Sequence, residues 1–268
     1  MIDTEPYRIS PKSIIDLRDI STRENGGFQK KQGKKAVHEL TKRLVSLQEL
    51  LYAQRKKSLL VIFQAMDAGG KDSTTRRVFR QLNPSSVRVK SFKTPSEREQ
   101  LQDFLWRIHQ HAPRKGYISI FNRSQYEDVV AVRVRELQSP AIWQGRFEHI
   151  NAFEQLLTSE GTIVLKFFLH ISKRYQKERL QRRLDRPDKH WKFSPSDLDD
   201  RERWDDYMAA YSETIEKCTS QNAPWYVVPS ERRWYRDLLV LQTVVNALES
   251  LHMSYPKPDF DPSTIEID

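Results

Sequence analysis

Five short apolar runs interrupt an otherwise polar chain: Leu59-Leu60-Val61-Ile62-Phe63, Val87-Arg88-Val89, Tyr117-Ile118-Ser119-Ile120-Phe121, Thr162 to Leu169, and Pro224 to Pro229. Each has the length and the β-branched or aromatic make-up of a strand. Between them, apolar residues recur at intervals of three and four, the period of a helix with one buried face. Val37, Leu40, Leu44, Leu47 and Leu51 predict a helix from Lys34 that leads into the first run. Val78, Phe79 and Leu82 predict a second, stopped by Asn83-Pro84. Leu101, Leu105 and Ile108 predict a third, opened by a Ser96/Glu99 capping box and ended by Ala112-Pro113. Further helices are expected over Trp143 to Leu157, from Ser172 as cap through Lys192, from Pro195 as first helical residue, and through Leu238, Leu241, Val245, Leu248 and Leu251. Strands and helices alternate and nothing reads as a hairpin. The fold class is α/β: a three-layer α/β/α sandwich around a five-stranded parallel sheet.

The ends of the chain break this rhythm. Residues 1–33 are polar and irregular, with Gly26-Gly27 and Gly33 as breakers. An extended arm on the surface or on a neighbouring subunit is expected there. The main domain is expected over 34–256, with a basic stretch at about 173–200 as a mobile lid. Residues 257–268 form a proline-rich, acidic tail.

Composition narrows the function. Hydrophobic residues are 38% of the 268, low but gathered in definite runs, so a core is expected rather than disorder. The formal charge of +9 points to an anionic partner, or else serves only solubility. Cys218 is the single cysteine, which suits a reducing compartment and excludes a multi-cysteine zinc site. MIDTEPYRIS has no apolar core of a secretory signal, and no run approaches the roughly 20 residues of a membrane span. A soluble, cytoplasmic protein without membrane partners is the expectation. Seven histidines show no H-E-x-x-H arrangement, and neither G-x-S-x-G nor G-x-G-x-x-G occurs.

The chemistry concentrates in LLVIFQAMDAGGKDSTT, residues 59–75. A buried strand, a tight turn at Ala68-Gly69-Gly70, Lys71 and a helix start form the layout of a phosphate-binding loop: helix-terminal amides face the anion and the lysine adds a point charge. The strict Walker A pattern is incomplete, with Ala65 for its first glycine and Asp72 for its hydroxyl residue, although Ser73 lies next to it. An ordinary glycine turn is the competing reading. Asp67 is the natural Mg²⁺ anchor or an Asx-type turn residue; Asp72 is a metal-side group or a first-turn acid favoured by the helix dipole. Asn122, Arg123, Glu127 and Asp128 follow the third strand, at the sheet edge where α/β proteins bind ligands. Arg182, Arg183 and Lys189 are the leading lid cations, with few acids in their segment to pair them.

Several stretches together carry a more specific signal. AMDAGGKDS (65–73), SFKTPS (91–96), DFLWRIHQHAP (103–113), FNRSQYEDV (121–129), HWKFSPSDLDDR (190–201) and APWYVVPSERRWYRDL (223–238) resemble the polyphosphate kinase type 2 family. The resemblance implies a P-loop kinase core like that of thymidylate kinase, with a helical lid. It also implies Mg²⁺- or Mn²⁺-dependent, reversible phosphoryl transfer from inorganic polyphosphate to AMP or ADP, with GMP and GDP as further acceptors. Ala68, Gly69, Gly70, Lys71, Asp72 and Ser73 fall on the phosphate loop, Asp67 and Asn122 on the metal side, and Glu127 and Asp128 near the acceptor. Lys71, Asp67, Arg123 and Arg183 take catalytic positions; Lys93, Arg133, Arg182, Lys189 and Lys192 are expected along the polyphosphate. Many relatives have Asp where this chain has Asn122 and Asn where it has Glu127; the Asn/Glu version resembles the class III branch, whose members accept both AMP and ADP. A homo-oligomer, dimer or tetramer, and no nucleic-acid partner are also expected. An ATP-dependent kinase on the same fold and a nucleic-acid-binding protein are the alternatives.

Overall fold

The computed structural model describes residues 2–267. Along the chain run α1 (Lys30–Gln54), β1 (Ser58–Gln64), α2 (Lys71–Phe79), β2 (Val87–Ser91), α3 (Glu97–Gln100), α4 (Trp106–His109) and β3 (Ile118–Asn122). Then come α5 (Ala131–Val134), α6 (Pro140–Ser159), β4 (Thr162–His170), α7 (Lys173–Leu184), α8 (Ser196–Glu202), α9 (Trp204–Cys218), β5 (Trp225–Pro229) and α10 (Arg233–Glu249). The five strands form one sheet in the order β2-β3-β1-β4-β5, all neighbours parallel.

Alternation along each strand splits the core in two. Leu59, Val61 and Phe63 of β1 pack with Leu165 and Phe167 under α1, α2 and α10. Leu60 and Ile62 pack with Val164, Phe168 and Val227 under α6 and α9. This is the expected three-layer sandwich. It also sets the geometry of the site. The connection after β1 crosses to the α2 side, while the connection after the adjacent β3 crosses to the α6 side. Chains leaving neighbouring strands in opposite directions open a crevice at their carboxyl ends.

Four expectations about helices need correction. Gly33 is no breaker: α1 starts at Lys30 and runs through it, because the Trp234 ring occupies the space where a Cβ at Gly33 would stand, 2.4 Å away. The helix expected through Leu101, Leu105 and Ile108 is two single turns, and Leu101 is 85% exposed. Asp103 is the reason, since its carboxylate accepts from the amides of Leu105 (2.9 Å) and Trp106 (3.0 Å) and starts a new turn. The helix from Ser172 stops at Leu184; Pro187 forces Arg186 into an extended conformation, and a 3₁₀ turn over Pro187–Lys192 follows. Pro195 flanks α8 rather than opening it.

Residues 2–29 lie along this chain's own domain. The Ile9 amide bonds the Trp225 carbonyl (2.9 Å), Tyr7 and Tyr235 share a hydroxyl bond (2.7 Å), and Leu17 is fully buried with its amide on Ser212 (3.1 Å). The Glu231 carboxylate accepts from the hydroxyls of Thr22 (2.7 Å) and Ser172 (2.6 Å), which ties this strap to the base of α7. Leu17→Ala is therefore expected to destabilise the whole domain by about 3 kcal/mol in urea unfolding; a loss below about 0.5 kcal/mol, the size of a surface change, would show that the strap is not part of the folded unit.

Candidate active site

The loop between β1 and α2 holds its shape through backbone bonds and positive φ. Gly69 N–H donates to Met66 (3.0 Å), and Thr74 N–H to Gly70 (2.9 Å). Ala68 (φ 61°) and Gly70 (φ 105°) are left-handed. At Gly70 the need for glycine is also steric: a Cβ there would stand 2.3 Å from Nη1 of Arg236. Lys71, first residue of α2, is buried, and its ammonium donates to the Ala65 carbonyl (2.9 Å). Burial and the nearby Arg123 push its pKa down, against the pull of Asp67, Glu127 and Asp72. The hydroxyls of Ser73 (2.9 Å) and Thr74 (3.0 Å) both turn back onto the Gly70 carbonyl.

The end of β3 meets this loop. Asn122 donates its amide to Asp72. Arg123 is left-handed at φ 61°, with its own amide on the Phe63 carbonyl (3.0 Å). Its guanidinium bonds Asp67 (2.6 Å) and lies 3.7 Å from Glu127. Glu127 and Asp67 raise the pKa of Arg123. Burial pushes Asp67 up, but Lys71, Arg123 and Arg183 outweigh it and hold the carboxyl below its ordinary value. Asp128 lies deeper, against Arg107 (3.2 Å) and Arg146 (3.8 Å), and burial raises its pKa despite both.

Two regions open from this centre. On one side is a cavity of about 120 Å³, walled by Phe92, Thr94, Pro95, Val132 and Leu137, with Asp67, Arg107 and Arg123 at its polar end. Lys93 also lines it. On the other side, burial and neighbouring Arg233, Arg183 and Arg236 lower the pKa of Arg179. Arg183 is pinned to Asp197 (3.0 Å) and to the Lys192 carbonyl (3.0 Å). Arg236, almost wholly buried, is held by Asp237 (2.6 Å) while it presses on Gly70.

The structure thus brings Asp67, Lys71, Asp72, Asn122, Arg123 and Glu127 together around the loop, with Arg183 near enough to act on Asp67. It places other expected residues elsewhere. Arg133 is paired with Glu213 and stacked over Trp143 (4.8 Å). Lys189 pairs with Asp188 (2.8 Å), Lys192 lies over the Trp191 ring (4.7 Å), and Arg182 is exposed. Sequence reading missed Arg107, Arg179, Arg233 and Arg236. The last two lie in ERRWYRDL, where three arginines share an eight-residue window with two acids; that imbalance at a helix start was the available signal.

Among the described residues no group of three or more His, Cys, Asp or Glu side chains could by itself hold a metal, and no helix is long and apolar enough to cross a membrane. The Asp67 carboxylate and the Asn122 amide oxygen are donors of the kind that Mg²⁺ takes alongside phosphate oxygens and water.

A parallel sheet in this order, with a glycine loop, a buried lysine and a cationic rim at its switch point, defines a P-loop kinase. The family model for polyphosphate kinase 2 matches residues 27–256. An AMP/ADP-polyphosphate phosphotransferase of Meiothermus ruber is 50% identical over 255 residues, covering 94% of this chain and 96% of that protein. An ADP-polyphosphate phosphotransferase of Rhodopseudomonas palustris is 42% identical over 272 residues, covering 96% and 93%. The crystal structure of a polyphosphate kinase 2 from Arthrobacter aurescens superimposes with a TM-score of 0.93 at 41% identity, covering 97% of this chain and 93% of that one. The chain belongs to the polyphosphate kinase 2 family.

The Asp67–Arg123 pair carries a pH signature. Because the folded carboxyl titrates below the unfolded one, its stabilising share is complete above the unfolded pKa and is lost as pH falls through the folded value. In urea unfolding, the stability gap between wild type and Arg123→Met is expected to hold from pH 7 to about pH 5 and to narrow as the pH falls below the unfolded carboxyl's range. A gap that stays constant with pH would show that the pair is not coupled.

Proposed function

We propose that this protein transfers phosphoryl groups between inorganic polyphosphate and AMP or ADP. The observation that carries the reading is that Lys71, Arg179 and Arg233, none of which has an ion-pair partner among the described residues, gather with the paired Arg123, Arg183 and Arg236 around one loop. Only a polyanion completes such a site.

In this account the acceptor nucleotide enters the cavity, its base and sugar against Phe92, Pro95, Val132 and Leu137, its phosphate toward Arg107 and Arg123. Polyphosphate lies along Arg179, Arg183, Arg233 and Arg236, with its terminal phosphoryl over the Gly69–Lys71 amides. The bridging P–O bond of the donor breaks as a new P–O bond forms to the acceptor's phosphate oxygen. That oxygen is already anionic, so no base is needed. The residues align the two ends and neutralise charge on the transferring group. Lys71 moves from the Ala65 carbonyl to the phosphoryl oxygens, and Arg123 bridges donor and acceptor. Mg²⁺, held by Asp67 with help from Asn122, would shield the oxygens further when bound. Arg182, Lys189 and Lys192 ride on the lid formed by α7, the following 3₁₀ turn and α8, and lead the donor inward. Lys93, first expected on the donor path, fits the acceptor side better because it lines the cavity, and Arg133 is engaged by Glu213. A cytoplasmic setting and a dimeric or tetrameric assembly complete the proposal; the single, buried, free Cys218 supports the first.

With polyphosphate as sole donor and Mg²⁺ present, wild type is expected to convert AMP to ADP and ADP to ATP. Lys71→Ala is expected to lower kcat by on the order of 10²–10³-fold while leaving the protein folded. Turnover of AMP with ATP as sole donor and none with polyphosphate would move the reading to an ATP-dependent kinase.

A further inference from the structure

Lys166 stands at the middle of β4 on the α6 side, between Val164 and Phe168, with no exposed surface. Its ammonium donates to Glu154 of α6 (2.5 Å), to the Tyr126 hydroxyl (3.1 Å) and to the Cys218 carbonyl (2.5 Å). Glu154 also accepts from the Tyr126 hydroxyl (2.6 Å) and from the Gln125 amide (3.0 Å). Stability does not explain a charge pair in such a place. Desolvation offsets most of the attraction, and apolar side chains of like volume often serve as well or better. Other core positions facing α6 are filled in that apolar way, by Leu60, Ile62, Val164 and Phe168.

What the pair does reach is the turn over Gln125–Asp128. It fixes two successive residues of that turn, which begins two residues after Arg123 and carries Glu127 and Asp128. Arg123 needs such support. A non-glycine residue in the left-handed region costs on the order of 1 kcal/mol or more and persists only where its surroundings over-determine it. The other anchors act at its two sides: the Phe63 carbonyl on the Arg123 amide, and Gln64 on the Ser124 hydroxyl (3.3 Å).

We propose that Lys166, Glu154 and Tyr126 are positioning residues for phosphoryl transfer: the buried pair locks the turn after β3 and thereby holds the Arg123 guanidinium between Asp67 and Glu127. None of the three touches substrate. The inference rests on the reading of Arg123 as the bridging cation.

The test measures kcat, KM for AMP and Tm with polyphosphate as donor. Lys166→Met combined with Glu154→Leu removes both charges at similar volume; Tyr126→Phe removes one hydroxyl. The double variant is expected to keep its Tm within a few degrees of wild type, as apolar replacements of buried pairs do, while kcat falls about tenfold and KM changes less than about threefold. Tyr126→Phe is expected to lower kcat by a smaller factor. In an Arg123→Lys background the Tyr126→Phe effect is expected to shrink below about twofold, because residues acting as a unit are not additive. Unchanged kcat in a folded variant, or a Tyr126→Phe loss of equal size in both backgrounds, would overturn the inference. If the double variant does not fold, the Tyr126→Phe cycle decides alone. Arg123→Lys with full kcat would overturn the reading of Arg123 itself, and this inference with it.

Discussion

Crowded positive charge at one edge of a buried sheet, only part of it paired with acids, is the constraint on which the structure depends. Arg179 sits among Arg183, Arg233 and Arg236, and Lys71 is buried close to Arg123. Desolvation and mutual repulsion both oppose this arrangement. The chain meets the cost locally. Lys71 rests on a carbonyl, Arg236 on Asp237, Arg183 on Asp197, and Arg123 on Asp67 and Glu127. The paired arginines are held in place and largely neutralised, and the field that remains comes from Lys71, Arg179 and Arg233. In the proposed function a chain of phosphates supplies the missing negative charge.

The fold makes that placement achievable with short loops. Because β1 and β3 are neighbours whose connections leave to opposite faces, the phosphate loop and the Arg123 turn face each other across the crevice between them. In the proposed function the two substrates approach from different elements: the acceptor along β2 and α5, the donor along α7 and α10. The N-terminal strap closes the back of the donor side by tying Ser172 and Glu231 together. The buried Lys166–Glu154 pair plays the corresponding part for the Arg123 turn.

Much of this was legible in sequence, for physical reasons. Strands buried on both faces must be mostly apolar, so β1, β3, β4 and β5 stood out as runs, while the half-exposed edge strand β2 showed only the alternation of Val87 and Val89. The glycine loop with Lys71 was visible because its function requires consecutive residues. What escaped depended on contacts between distant residues. Gly33 looked like a breaker, since nothing local tells that Trp234 lies across it. Asp103 and Pro187 did carry local signals for the broken helices, but the apolar period of Leu101, Leu105 and Ile108 outweighed the first. Arg236 was hidden for a different reason: its role comes from α10 returning to Gly70 after more than half the chain. The expected weight on Arg133 failed to anticipate Glu213, which lies eighty positions away in sequence and next to it in space.

The central claim is that the loop at Gly69–Lys71 and the arginines of α7 and α10 form one polyanion site. A crystal structure of the protein with Mg²⁺ and tripolyphosphate tests it most directly. The account predicts a terminal phosphoryl group bonded to the amides of Gly70 and Lys71, the Lys71 ammonium moved from the Ala65 carbonyl onto it, and the rest of the chain against Arg179 and Arg236. Phosphates bound elsewhere on the surface, with Lys71 still on Ala65 and the loop untouched, would contradict it.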